Sequence, residues 1–150
     1  MKYLLLLAIA FSLVFSGCNN VVNNGIVTDD NGDVNADGAQ YLAFDKKEFE
    51  NAKSENKVIL LDFYANWCPV CRLENPKIRS ALKEFKSNEV VAFQVHYNDG
   101  DVTEEHIALA KEYGINIQHT KVILKDGEVA LKSLESWSKD TAVNELRKVL

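Results

Sequence analysis

Positive charge is in short supply in this 150-residue chain, where 17 lysines and arginines face 22 aspartates and glutamates for a formal net charge of −5. No basic stripe is available to displace counterions from a phosphate backbone, which excludes nucleic acid as a partner. Long apolar runs are lacking as well. The longest, from Tyr3 to Phe15, falls short of the ~20 residues a helix needs to span a bilayer permanently. Cysteine is scarce: there are three, Cys18, Cys68 and Cys71, and with no second CxxC a four-sulfur zinc ribbon is excluded. Proline occurs only at Pro69 and Pro76, so any loop in the last half of the chain is built without it. What is plentiful is apolar side chain, 47% of the residues, which is ample for one compact domain.

The opening "MKYLLLLAIAFSLVFSGC" pairs one lysine with a short apolar run that ends in Ser16 and Gly17, the pattern of an export signal over residues 1–17. Its end, "FSGC", resembles the lipobox of bacterial-type lipoproteins, with Phe15 where leucine is usual. That resemblance implies acylation of Cys18 and a chain anchored by lipid on the extracytoplasmic side, where disulfides persist. Assigning Cys18 to lipid leaves Cys68 and Cys71 as a pair. Residues 18–39 are rich in Asn, Asp and Gly, which favour turns and bury little, and read as a flexible tether. Within it Asp33–Gly38 opens like a calcium loop, but Phe44 stands where the bidentate glutamate is required, so a solvated acidic linker is the reading kept.

From residue 40 to 150 the periodicity predicts an α/β domain, a central mixed sheet flanked by helices in the order β-α-β-α-β-α-β-β-α. Asp45 caps a short helix, and "KVILLDFYA" reads as a strand covered on both faces, broken only by Asp62. A helix from Pro69 to about Lys86 places Leu73, Ile78, Leu82 and Phe85 inward, with a kink expected at Pro76. "EVVAFQV" is a strand, Gly114 ends the next helix, and Asp126-Gly127 turns a hairpin. Ser138 caps the final helix.

"YANWCPVCR" therefore sets two cysteines at the first turn of a helix that follows a buried strand. The exposed N–H groups and the helix dipole favour an anion there, which lowers the pKa of Cys68 and makes it the nucleophile, while Cys71, one turn on, is within reach to resolve a mixed disulfide. The pair is also compatible with two of a metal's ligands or with an inert staple, although so short a loop constrains the unfolded chain little.

At "VILLDFYANWCPVCR" the sequence resembles the thioredoxin family, and Pro76, "YGI" at 113–115 and "KDGEV" at 125–129 extend the likeness over residues 41–150. The resemblance implies a thioredoxin-like fold and a thiol–disulfide oxidoreductase in which Cys68 attacks, Cys71 resolves and Asp62 relays protons to Cys71. It matches Trp67 to the tryptophan before the active site and places Gln118 and His119 in the loop facing the disulfide, a wall for substrate. Residue physics agrees on Asp62, since burial pushes a carboxyl toward neutrality. Asp62 and Trp67 also fit a satisfied buried acid and a packing residue.

Two departures stand out. The ungapped count from "YGI" to "KDGEV" puts His119 where the family has a cis-proline; a cis bond before a non-proline costs roughly 2.5–4 kcal/mol, so a trans Gln118–His119 bond is expected. By a similar count Phe93 replaces a lysine beside the buried acid, which predicts a further rise in the Asp62 pKa. His96 reads as a satisfied surface histidine, and His106, beside Glu104 and Glu105, as part of a solvated face.

The expected protein is a monomeric, lipid-tethered reductant of exported proteins. It exchanges electrons with their thiols and disulfides, uses no cofactor or metal, and draws on an upstream donor, membrane-bound or soluble, that the residues do not specify. The alternative is a copper or zinc carrier using Cys68, Cys71 and His119, two thiolates and an imidazole suited to a soft metal.

Overall fold

The computed structural model describes residues 38–85 and 88–150. The export signal, Cys18, the calcium-like stretch before Gly38 and nearly all of the tether lie outside the described residues. Along the rest the chain runs β1 (Gln40–Ala43), α1 (Lys46–Ser54), β2 (Val58–Tyr64), α2 (Pro69–Leu82), β3 (Val90–His96), α3 (Glu104–Glu112), β4 (Thr120–Lys125), β5 (Glu128–Ser133) and α4 (Lys139–Arg147). This is the order the periodicity predicts.

The five strands form one sheet in the order β1-β3-β2-β4-β5. β1 and β2 run parallel to β3, while β4 is antiparallel to β2 and β5 to β4. β2 is the central strand, paired on both sides, and a strand covered on both faces must be apolar throughout; that is why Val58 to Phe63 are all buried. Its side chains alternate between two cores. Ile59, Leu61 and Phe63 join Val91, Phe93 and Val95 beside α1 and α3 residues, whereas Val58 and Leu60 join Ala92, Ile123 and residues of α2 and α4. Asp62 belongs to the second face, as does Lys121 opposite it in the β2–β4 register.

The helix starts follow the predicted caps, with Asp45 accepting from the Glu48 N–H and Ser138 from the Thr141 N–H. Asp126 (φ 52°) and Gly127 (φ 80°) make the hairpin turn with the left-handed backbone expected of that pair. Gly114 (φ 60°) follows α3.

Two assignments are corrected. α2 ends at Leu82, with Phe85 still buried beyond it, and its inward stripe is Cys71, Glu74, Ile78, Ala81 and Leu82. Leu73, expected inside, is 70% exposed. His106, expected on a solvated face, is buried because its ring accepts the Thr103 N–H while the Thr103 hydroxyl accepts the His106 N–H, a reciprocal cap that draws the imidazole in. Among the described residues no helix is long and apolar enough to cross a membrane.

Candidate active site

Cys68 is the N-cap of α2 and Pro69 its first helical residue, a position where a missing N–H costs nothing. The helix brings Cys71 one turn round, so the two cysteines are joined in a disulfide with Cα atoms 5.3 Å apart. The Cys71 N–H donates to Cys68 Sγ at 3.2 Å, so a backbone donor is already aimed at the sulfur that would carry negative charge after reduction. Both cysteines are buried, while Trp67, Val70, Leu73 and Ile117 are exposed large apolar residues.

The loop before Cys68 is anchored to the end of β3. Trp67 donates its indole N–H to the Asn98 carbonyl at 2.9 Å, and the Asn66 N–H donates to Asp99 Oδ2 at 2.9 Å. The same carboxylate oxygen lies 2.8 Å from His96 Nδ1. Burial pushes the Asp99 carboxyl up, but the hydrogen bonds from His96 and from the N–H groups of Asn66 and Asp101 outweigh it and hold the pKa below the ordinary value. His96 is thus satisfied, as expected, and helps to hold the redox loop. Among the described residues, His96, Asp99 and Asp101 are the group whose potential ligand atoms gather within 4.8 Å, and Asp101 accepts from the Asn66 amide.

Asp62 sits on β2, six residues before Cys68, and is 4% exposed. The Tyr41 hydroxyl donates to its Oδ2 at 2.7 Å, and Asn75 donates to the Tyr41 oxygen at 2.7 Å. Asn75 is four residues after Cys71 on the same helix, so this chain of contacts puts the carboxyl beneath the first turns of α2. Burial raises the Asp62 pKa to about 6, against the opposing pull of the Tyr41 hydrogen bond and the Lys121 charge. Burial and the Asp62 charge push the Tyr41 phenol well above its ordinary value, so it remains a donor.

The expectation drawn from Phe93 is corrected here. Phe93 pairs with Leu61 and faces the other core; Gln94 is the β3 residue beside Asp62. A cation is nevertheless present, supplied from the opposite neighbour, because Lys121 pairs with Asp62 across β2 and β4. The acid is therefore raised by burial but held back by an ammonium that no count along the sequence places there.

Lys121 is fully buried, and its Nζ donates to Glu74 Oε1 and Oε2 at 3.1 and 3.0 Å, to the His119 carbonyl at 3.1 Å and to the Glu135 carbonyl at 2.6 Å. Glu74, 3% exposed, also accepts the Trp137 N–H. Burial lowers the Lys121 pKa, and the Glu74 carboxylate opposes that. Neither residue was expected in the site. Their signals are visible in retrospect: Glu74 lies on the stripe Cys71-Glu74-Ile78, and Lys121 on the inward face of an apolar strand, so two opposite charges occupy positions that should be apolar.

Every peptide bond among the described residues is trans, that of Gln118–His119 included, as expected from the absence of proline. His119 takes a positive φ of 69°, uncommon outside glycine. Its N–H donates to the Phe63 carbonyl at 2.6 Å, Nε2 lies 3.3 Å from the Ser136 hydroxyl, and Nδ1 lies 2.8 Å from Glu74 Oε2 without the direction of a hydrogen bond. Burial and the Lys121 charge lower its pKa. In this disulfide form the sulfurs of Cys68 and Cys71 are bonded to each other, and the His119 ring lies against Glu74 and Ser136.

Comparison with known proteins agrees with this geometry. The family model described as Thioredoxin matches residues 40–148. The chain is 37% identical over 93 residues to thioredoxin H4 of Arabidopsis thaliana, covering 62% of this chain and 72% of that one. It is 34% identical over 82 residues to thioredoxin-2 of Pyricularia oryzae, where the match spans 55% of this chain and 43% of the longer relative. Among solved structures, a mutant thioredoxin from Halobacterium salinarum superposes with a TM-score of 0.58 at 25% identity, covering 79% of this chain and 96% of that one. A Trxlp from Edwardsiella tarda superposes with a TM-score of 0.60 at 20% identity, covering 71% and 97%, a likeness of fold. With the disulfide at the head of α2 and the buried acid beneath it, the chain belongs to the thioredoxin family and carries that family's thiol–disulfide couple in Cys68 and Cys71.

Proposed function

We propose that this protein is a lipid-tethered, extracytoplasmic reductase of disulfides in exported proteins, acting as a monomer. The observation that carries the chemistry is the Cys71 N–H aimed at Cys68 Sγ at the start of α2. In the reduced protein that donor and the helix terminus stabilise the Cys68 thiolate. The thiolate attacks one sulfur of a substrate disulfide, forming a mixed disulfide and releasing the other sulfur as a thiolate, which takes its proton from solvent. Asp62 in its ionised form accepts the Cys71 proton, and the Cys71 thiolate attacks Cys68 Sγ, releasing the second substrate thiol. Two electrons pass from the dithiol to the substrate, and the Cys68–Cys71 disulfide remains.

Trp67 and the Gln118–His119 loop are the substrate-facing residues in this reading. The reductive direction rests on the likeness to thioredoxins, and the location on "FSGC" and the signal before it. Two experiments test the halves separately. The reduced full chain should reduce a protein disulfide with loss of two thiols, and Cys68→Ser should abolish this while Cys71→Ser stalls at the mixed disulfide; turnover by Cys68→Ser contradicts the chemistry. Metabolic labelling with a fatty acid should mark the protein and vanish in Cys18→Ser; an unlabelled protein recovered free of membrane contradicts the tether.

A further inference from the structure

Resting on the reading above, we propose that the buried Glu74–Lys121 pair is a positioning element that fixes the Gln118–His119 wall of the substrate groove. It thereby governs recognition of protein disulfides and leaves the sulfur exchange to Cys68 and Cys71.

The pair ties together three segments of the fold next to the cysteines. Glu74 belongs to α2, one turn past Cys71; Lys121 is the second residue of β4; the Trp137 N–H and the Glu135 carbonyl belong to the link between β5 and α4. The Lys121 ammonium takes the His119 carbonyl, and the Phe63 carbonyl takes the His119 N–H. Both backbone groups of the residue at the proline position are thus held, and the residue held has a positive φ that a non-glycine adopts only when its surroundings impose it. A proline would restrict this loop by its own ring, but among these residues the restriction comes from a buried ion pair instead.

Stability does not account for the pair. Two charges withdrawn from water recover their hydration only through good geometry, and apolar side chains of similar volume commonly serve the fold as well or better. What apolar side chains cannot do is grip the carbonyls of His119 and Glu135. Removing both charges together takes away two opposed influences on the acid beneath the cysteines, because Lys121 lowers and Glu74 raises the Asp62 pKa. The two roles, shaping the groove and exchanging sulfur, can therefore be separated by experiment.

The test compares the full chain with Glu74→Leu/Lys121→Leu, using insulin as the protein disulfide and oxidised glutathione as the small one. The expected result is a KM for insulin raised about tenfold with kcat held, and a glutathione rate within about twofold of the unmutated chain. In the same variant the His119 amide should exchange with solvent at least about tenfold faster, while the Leu60 and Val95 amides in the sheet keep their protection. An unchanged KM for insulin, an equal fall of kcat with both substrates, or an unaltered His119 amide overturns the proposal. If the leucine pair fails to fold, Glu74→Gln/Lys121→Met is read by the same outcomes. An unmutated chain that exchanges with neither substrate overturns the oxidoreductase reading and this proposal with it, whereas normal exchange by both proteins overturns this proposal alone.

Discussion

Two buried carboxyls flank the cysteines, and they are handled in opposite ways. Asp62, 4% exposed on the central strand, meets a phenol hydroxyl directly and a cation only at a distance, and burial leaves it poised at about 6. Glu74, 3% exposed on α2, is clasped by an ammonium through both oxygens and by a backbone N–H. Equal burial thus gives one group able to trade a proton near neutral pH and another fixed as half of a structural clasp. The partner decides the role, and burial only sets the stakes.

That contrast can be broken most forcefully from the cation side. Lys121→Met alone leaves the Glu74 carboxylate buried without its ammonium and should cost about 3–5 kcal/mol in denaturant unfolding, whereas Glu74→Leu/Lys121→Leu should fall close to the unmutated protein. Equal losses in the two would mean that the charges are not acting as a pair. On the acid side, the folded chain binds the Asp62 proton more tightly than the unfolded one, since folding raises the pKa from 3.8 to about 6. The resulting stabilisation is complete below about pH 4 and is lost as pH rises through about 6. Asp62→Asn should therefore stabilise the fold at pH 7 by up to about 3 kcal/mol, with the gain vanishing toward pH 4. Denaturant curves at the two pH values check this, and a gain independent of pH contradicts it.

Smaller effects sharpen the comparison. Tyr41→Phe removes a hydrogen bond to the ionised form of Asp62, so the inflection in the pH dependence of Cys71 alkylation should move upward from about 6 by about one pH unit. Asn75→Ala removes the donor to the Tyr41 oxygen together with the contacts to Gln94 and Arg79 while leaving the Tyr41–Asp62 hydrogen bond in place, and the same titration should shift upward by a few tenths of a unit. A larger shift from Asn75→Ala than from Tyr41→Phe would contradict this order of contacts.

Much of this was legible along the chain because it depends on local chemistry. The caps at Asp45 and Ser138, the turn at Asp126-Gly127 and the apolar run around Asp62 each announce themselves within a few residues, and the cysteine pair follows from its place between strand and helix. What escaped depends on pairing between distant segments. Lys121 meets Glu74 and stands opposite Asp62 only once β4 is registered against β2, and Tyr41 reaches Asp62 only through the order β1-β3-β2. Phe93 and Gln94 differ by one residue, but one residue in a strand is the difference between the two faces of the sheet. His106 looked solvated beside two glutamates because its capping bond to Thr103 is not visible in a pattern of charges.

The central claim is that Cys68 and Cys71 cycle between dithiol and disulfide with Asp62 as the proton acceptor for Cys71. The direct measurement is the pH dependence of Cys71 alkylation in the reduced full chain, set beside that of Asp62→Asn. The account predicts an inflection near 6 in the unmutated chain that disappears in the variant; superimposable curves would contradict it and remove Asp62 from the mechanism.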